Sequence, residues 1–188
     1  MNSVQAQTSP LAQALPGAQF GERHARRIPA SRDAVWDALH DLRVRDLTVT
    51  KPLSWLRAGG RTATGDQRLL DQPSPVVVLD ESRPAWITAG RIAKPWQPRP
   101  DIGPVPESLD ALRVFDEPGW LKYGMEFTIE PDGEAGSVLR TVTLCEATDR
   151  AAWRRFVPYW ALIRPWSGLI RRDVLAAVAR RATQVSER

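Results

Sequence analysis

The residue types that most often carry out chemistry are scarce in this chain of 188 residues. It has two histidines, His24 and His40, and one cysteine, Cys145. No cysteine or carboxylate stands at metal-ligand spacing from either histidine, so no metal site is predicted. The sequence contains no Gly-x-Ser-x-Gly turn, no Cys–His arrangement and no phosphate-binding glycine loop. We therefore predict neither a nucleophile nor a cofactor.

Two of these residues have ordinary structural interpretations. His24 lies in a predicted strand, where it is either a structural residue or a hydrogen-bond donor at the rim of a pocket. Cys145 lies in another predicted strand among apolar neighbours, which indicates a buried and inert thiol. A single cysteine cannot form an intrachain disulfide, and it fits a reducing cytoplasm.

The predicted strand Ser137–Ala147 carries polar residues on both of its sides. One side has Arg140 and Glu146, and the other has Thr141 and Thr143. If the first side faces an apolar interior, its charges need partners and would suggest a function. If the second side does, the threonines offer neutral hydrogen bonds to a ligand. Alternation alone leaves this open, and a solvated outer row is the plainest interpretation.

Other candidate ligand-binding residues have side chains with an apolar body and a polar end group. Arg91 stands among small and apolar neighbours and could hold a ligand carboxylate through two hydrogen bonds, although a surface ion pair explains it equally well. Aromatic residues of this kind line ligand pockets, but they more often fill a core. The predicted ligand-binding residues are Trp86, Arg91, Tyr123, Met125, Phe127, Thr141, Thr143, Tyr159, Trp160 and Ile163.

The composition is typical of a globular protein, with 43% hydrophobic and 26% charged residues. The net charge is +4, but the arginines occur in separated pairs without a nucleic-acid-binding signature, so nucleic-acid binding is not predicted. The sequence shows neither a signal peptide nor an apolar window of roughly 18 residues. We therefore expect a cytoplasmic protein with no membrane span, and the oligomeric state stays open.

The chain is predicted to divide into an arm and one domain. Residues 1–19, rich in Gln, Ala, Ser and Pro, are expected to be disordered or loosely attached, and residues 20–188 to form a single domain. A strand at Gly21–Ile28 precedes a helix that Ser31 caps and that ends near Leu42. Residues 45–56 are predicted as strand or mixed structure, and Gly59-Gly60 as a turn.

The middle of the chain alternates as antiparallel strands do. Leu121–Ile129 should have one buried and one wet face, with the following strand returning beside it. The proline-rich segment 94–118 is predicted to be a long loop with a short helix near 107–112, acting either as a lid or as a rigid surface excursion. The predicted strands are Pro75–Glu81, Ala85–Ala93, Leu121–Ile129 and Ser137–Ala147.

The clearest pattern is an amphipathic helix that begins after a cap at Thr148 or Asp149. Its apolar residues fall within an arc of about 100°, and Pro158 and Pro165 should kink or split it. We expect this helix to cover a concave sheet and to enclose an apolar cavity. The stripe consists of Trp153, Phe156, Trp160, Ile163, Ile170, Val174 and Val178, with Ser167 in the one gap.

Two segments resemble the START-like, or SRPBCC, superfamily, which includes polyketide cyclase/dehydrase-like proteins. Glu22–Leu39 is similar to the family's opening strand followed by "A-S-x-x-x-V-W-x-x-L". Thr141–Asp149 with Arg155–Trp160 looks like the last strand and closing helix of one bacterial subgroup. The resemblance implies an α+β helix-grip fold, in which a curved antiparallel β-sheet wraps around a long C-terminal α-helix. It implies no catalytic set.

Three functions are compatible with these observations. The first is binding of a hydrophobic or aromatic small molecule, such as a lipid, polyketide or isoprenoid, between sheet and helix. The second is a cyclase/aromatase- or dehydratase-type enzyme that uses the same cavity. The third is an interaction module that docks its helix and arginine pairs on a partner. For the enzyme, the ionisable residues to inspect are Arg140, Glu146, Glu126 and Tyr159.

Overall fold

A computed structural model of the chain describes residues 9–48, 66, 68, 69 and 76–186. The helices are α1 (Pro10–Ala14), α2 (Arg32–His40), α3 (Leu109–Val114) and α4 (Arg150–Ser186), and Val44–Asp46 forms a 3₁₀ turn. The strands are β1 (Phe20–Ile28), β2 (Val77–Ser82), β3 (Trp86–Lys94), β4 (Asp101–Ile102), β5 (Leu121–Asp132) and β6 (Gly136–Ala147).

The strands form one curved antiparallel sheet in the order β1-β6-β5-β3-β2, with the short β4 also paired to β3. The predicted fold class, an α+β helix-grip arrangement of such a sheet with a long C-terminal helix, is confirmed. The predicted pairing of β5 with the strand that follows it is present and antiparallel, and the two predicted strands before them pair in the same way as β2 and β3. The turns rely on Gly119 and Gly133, whose φ angles of 86° and 74° favour glycine.

Side chains of the sheet point alternately towards α4 and away from it. On the side towards α4, Phe127 and Leu139 pack with Val174 and Val178 in the main hydrophobic core. We call this side the interior face and the opposite side the outer face. Because side chains alternate along a strand, the register assigns every second residue of each strand to the interior face.

Helix α2 begins as the sequence predicts. The Ser31 hydroxyl accepts a hydrogen bond from the Ala34 amide at 3.3 Å, and the helix ends at His40, two residues before the predicted end. Its apolar side chains Val35 and Leu39 join the core with Val174 of α4. The predictions for residues 49–56 and for the turn at Gly59-Gly60 lie outside the described residues.

The outer face is covered by α1 and α3, which corrects two expectations. Leu11 is fully buried and packs with Leu112 of α3, so residues 9–15 are docked on the sheet rather than loosely attached. Lys122 and Glu126, on the predicted wet side of β5, are buried beneath these helices. A carboxylate oxygen of Glu126 accepts the Leu11 amide at 2.9 Å, which fastens α1 to the sheet.

Helix α4 is one continuous element across both of its prolines. Pro158 and Pro165 lie on its exposed side, where water can bond the carbonyls that their missing amides leave without a partner. The helix is therefore not split. Of the predicted apolar stripe, Phe156, Val174 and Val178 are buried, whereas Trp153 is exposed.

Candidate functional site

Strands β1 and β6 place four polar side chains at the centre of the interior face, those of Glu22, His24, Thr141 and Thr143. We call these four side chains the polar group. In their register, Glu22 lies opposite Thr143 and His24 lies opposite Thr141. Both threonines are buried, so the structure selects the threonine side of β6 as the inner one and corrects the interpretation of a solvated row. The valines on one side of β6 and the threonines on the other suit a strand equally well, so strand propensity did not reveal which side faces the interior.

Strands β3 and β5 continue the same face. Arg91 lies opposite Tyr123, which in turn lies opposite Cys145 of β6. Met125 is the next interior residue of β5, and it lies opposite Thr143. Arg91, Tyr123 and Met125 are all half-buried. The interior face therefore combines charged, neutral polar and apolar side chains within neighbouring strands.

Helix α4, which packs over the interior face, contributes two arginines to the site. The Arg171 Nε donates a hydrogen bond to the Thr143 hydroxyl at 3.2 Å, and the Arg164 Nε lies 3.7 Å from a carboxylate oxygen of Glu22. The helix passes close to His24 at Gly168. A β-carbon at Gly168 would lie 3.5 Å from the Cε1 and Nε2 atoms of His24, in ordinary van der Waals contact.

Four buried polar atoms of the interior face have no hydrogen-bond partner. They are the Glu22 Oε2, the His24 Nε2, the Arg91 Nε and the Thr141 Oγ1. Leaving a buried donor or acceptor unpaired costs about 1–3 kcal/mol, so native proteins pair nearly all of them with protein groups, water or ligands. These four unpaired atoms are gathered on the interior face, whereas the unpaired Glu126 Oε1 lies on the outer face.

The same surroundings shift three ionisable groups. Burial lowers the pKa of His24; Glu22 opposes that shift, while Arg172 and Arg171 reinforce it. Burial also lowers the pKa of Arg171, which nearby Glu22 opposes. Burial raises the pKa of the Cys145 thiol to about 12, which makes it a poor nucleophile, as the sequence predicts.

Aromatic rings close one end of the interior. Phe156 of α4 lies at their centre, with its ring centroid 4.9 Å from Phe20, 5.7 Å from Trp160 and 5.9 Å from Tyr159. Trp96, from the proline-rich segment, lies 6.4 Å from the same ring. The cluster offers apolar and π surface beside the polar group, which suits an aromatic or hydrophobic ligand.

The central part of α4 packs less tightly than its two ends. Phe156 and Val174 are buried, but the sheet-facing residues between them, which include Trp160, Ile163 and Ile170, are only half-buried. Arg91 and Met125 are likewise half-buried on the sheet side. The middle of α4 is therefore less deeply buried than its two ends.

Nine of the ten predicted ligand-binding residues lie on the interior face or on α4. Phe127 belongs to the filled core, and the other eight surround the polar group or the aromatic cluster. Trp86 is the exception: it lies opposite Thr128 on the outer face, and its indole nitrogen donates to Asp80 at 2.7 Å. The alternation of side chains along β3 therefore turns this predicted ligand-binding residue away from the interior.

Sequence reasoning missed Glu22 and Arg171 and underestimated His24. The signal was present, because residues two apart on one strand share a face, which sets Glu22 and His24 side by side. Arg171 continues the spacing of the apolar stripe from Ser167 to Val174, so it also points inward. Among the described residues, no group of three or more His, Cys, Asp or Glu side chains could hold a metal ion.

The four residues singled out for proton transfer are mostly elsewhere. Arg140 lies on the outer face and pairs with Glu130 at 3.0 Å, and Glu146 pairs there with Lys122 at 2.7 Å. Glu126 is buried, but beneath α1 on the outer face. Only Tyr159 borders the interior. The ionisable groups that border it include those of Glu22, His24, Arg91 and Arg171.

A groove of about 580 Å³ lies elsewhere, on the outer face between α1, α3 and β2. It shares no residue with the interior site. Segment 94–118 contributes α3 to this side, where Leu112 is fully buried against the sheet, so this part of it is a packed excursion. In the part of the chain that the structure describes, no helix is long and apolar enough to cross a membrane.

No family model and no curated protein matches the chain. Among solved structures, it is similar to a conserved protein from Geobacillus kaustophilus at 11% identity, covering 88% of this chain and 96% of that one, with a TM-score of 0.42. It is also similar to norcoclaurine synthase from Thalictrum flavum in complex with dopamine and hydroxybenzaldehyde, at 12% identity, 93% and 90% coverage and a TM-score of 0.40. The Zhui aromatase/cyclase from Streptomyces sp. R1128 matches at 14% identity, with 88% and 94% coverage and a TM-score of 0.35. The chain's own element order and strand pairing give it the helix-grip architecture, which is the fold that the resemblance noted in the sequence implies.

Proposed function

We propose that this protein binds a hydrophobic or aromatic small molecule between the interior face and the middle of α4. Its polar groups would be held by the side chains of Glu22, His24 and Thr141 on the neighbouring strands β1 and β6, and by Arg91 on β3. The observation that carries the proposal is the set of four buried polar atoms without partners on this one face.

The chemistry of these atoms indicates the kind of polar group. The Arg91 Nε is a donor, the Glu22 Oε2 is an acceptor, and the Thr141 hydroxyl can do either. Because the pKa of His24 is lowered, its imidazole is neutral near pH 7 and offers one donor and one acceptor nitrogen. A ligand with both a carbonyl or carboxylate and a hydroxyl would satisfy this set.

The apolar part of the ligand would lie against the aromatic cluster. Phe156, Tyr159 and Trp160 present ring surface there, and Tyr123 and Met125 extend the apolar lining on the sheet. Pockets of this composition, mostly apolar with few polar groups, are typical of small-molecule sites.

The test is a ligand screen followed by matched variants. Native mass spectrometry would detect a co-purified molecule, and melting shifts across lipids, aromatic polyketides and isoprenoids would identify binders. Thr141→Val should then weaken binding of the best compound by about fivefold to tenfold, the effect of one hydrogen bond. The control is Thr128→Val on the outer face of β5, which should leave the affinity unchanged.

Two results would contradict the proposal. One is an empty protein that no compound class stabilises. The other is an equal effect of Thr141→Val and Thr128→Val, which would place the ligand away from the interior face.

The interior ionisable groups favour a second candidate, a cyclase/aromatase- or dehydratase-type enzyme. A neutral His24 beside Glu22 is a suitable proton acceptor near pH 7. Incubation with β-hydroxy-ketone or poly-β-ketone thioesters, followed by mass spectrometry, would detect loss of water or ring closure. His24→Asn should abolish that turnover while weakening binding by no more than about tenfold, the effect of one hydrogen bond. Bound but unchanged substrates in the wild-type protein would leave only the binding function.

A further inference from the structure

The solvent side of α4 carries an apolar stripe that the fold does not use. Leu162 is 70% exposed, Trp166 51% and Leu169 37%. Their spacing of four and three residues places them on one side of the helix, within an arc of about 60°. We call these three residues the exposed stripe. Contiguous exposed apolar residues of this size usually mark a binding surface.

The helix around the stripe is strongly basic. Residues 150–172 contain six arginines and no aspartate, glutamate or lysine. Arg154, Arg155 and Arg172 are exposed, and among the described residues none of the three has an ion-pair partner. At about 100° per residue, Arg155 continues the line of the stripe, and Arg154 and Arg172 lie along one flank. The complementary surface must therefore be both apolar and anionic.

We propose that this side of α4 docks on an anionic lipid surface, with the helix axis parallel to the membrane plane. In such a helix, leucine and tryptophan enter the boundary between headgroups and acyl chains, while arginines contact the phosphates. Tryptophan in particular favours this boundary. The described part of α4 is not apolar enough to cross a membrane, which fits a helix that lies on it.

The charge pattern argues against a second copy of the chain as the occupant. A two-fold symmetric contact through the stripe would bring the same arginines of both copies together. Like charges across such a contact are repulsive, and the nearest carboxylate along this line of α4, Asp173, is buried and accepts a hydrogen bond from the Thr48 hydroxyl, so it does not offset them. An anionic bilayer meets both the charge and the apolar surface without that conflict.

The experiment is co-sedimentation of the full chain with phosphatidylcholine vesicles that either contain or lack phosphatidylglycerol. Binding should require phosphatidylglycerol and should weaken as salt is added, because salt screens the arginines. Arg154→Gln with Arg155→Gln should weaken binding by about 25-fold, since each arginine near the surface contributes roughly fivefold. The control, Arg26→Gln with Arg27→Gln on β1, removes the same charge from another exposed surface.

A second pair of variants tests the apolar part. Leu162→Ser with Trp166→Ser should reduce binding at least tenfold, whereas Val114→Ser, at a residue of α3 that is 66% exposed, should not. Circular dichroism confirms that each variant is folded. The proposal is overturned if the wild type ignores anionic vesicles, if control and stripe variants bind alike, or if the stripe instead mediates self-association or binding to an acidic protein.

Discussion

The two buried threonines of β6 allow one substitution to be tested with opposite expected signs. Thr141 and Thr143 share the strand and the interior face, and they are 1% and 7% exposed. The Thr141 hydroxyl has no partner, whereas the Thr143 hydroxyl accepts a hydrogen bond from the Arg171 Nε at 3.2 Å. Valine has nearly the same shape and suits a strand equally well.

The expected magnitudes follow from these contacts. Thr141→Val removes an unpaired buried hydroxyl, which should stabilise the ligand-free protein by about 1–3 kcal/mol. Each kcal/mol corresponds to about 2–4 °C in Tm for a chain of this length. Thr143→Val leaves a buried guanidinium nitrogen without its acceptor, and losing a bond to a charged group should cost about 1.5–3 kcal/mol. The two variants should therefore differ by several kcal/mol.

Urea unfolding followed by circular dichroism would measure both free energies, and thermal melts would check their order. The protein must be ligand-free, because a bound molecule that pairs with Thr141 would reverse the sign for that variant. Equal destabilisation by the two substitutions in the ligand-free protein would refute the reasoning, since it would show that the Thr141 hydroxyl has a partner inside the folded protein.

Three further predictions concern other parts of the structure. The pKa of about 12 for Cys145 leaves a thiolate fraction on the order of 10⁻⁴ at pH 8, so Ellman's reagent should label it only after unfolding; rapid native labelling would contradict this. The pKa of His24 lies below its ordinary value of 6.5, so the unfolded chain takes up a proton at a higher pH than the folded protein does. The free energy of unfolding should therefore fall as the pH drops below 6.5. Urea titrations at several pH values should show a smaller fall for His24→Asn. Leu11→Ala should cost about 2–5 kcal/mol, whereas Leu162→Ala, at an exposed site, should change stability by less than about 0.5 kcal/mol; similar values would mean that α1 is not docked.

The sequence predicted the elements of the fold well because their signals are local. Alternation in Leu121–Ile129, the Ser31 cap and the helical stripe through Phe156 and Val178 each reflect one element's own burial. Those elements, their antiparallel pairing and the helix-grip arrangement are confirmed. The short helix predicted near 107–112 is present as Leu109–Val114.

The wrong predictions share a physical cause: the side chains concerned are buried by segments that are distant in the sequence. Nothing within β5 indicates that α1 and α3 bury Lys122 and Glu126. The contact between Leu11 and Glu126, for example, joins residues more than a hundred positions apart in the sequence. The arm's polar composition likewise hid two leucines that dock it. Which face of β6 is inner depends on where α4 packs, and alternation has no information about that.

The way α4 is held has a consequence for how a molecule could enter. Its two ends are anchored through the buried Phe156 and through Val174 with Val178, while the sheet-facing residues between them are only half-buried. Pro158 and Pro165 also deprive the carbonyls of Arg154 and Ala161 of their usual amide donors, so this span has fewer hydrogen bonds resisting a bend. The middle of α4 can therefore bend outward while the two ends of the helix stay in place. Amide hydrogen exchange should be faster at its centre than at its ends.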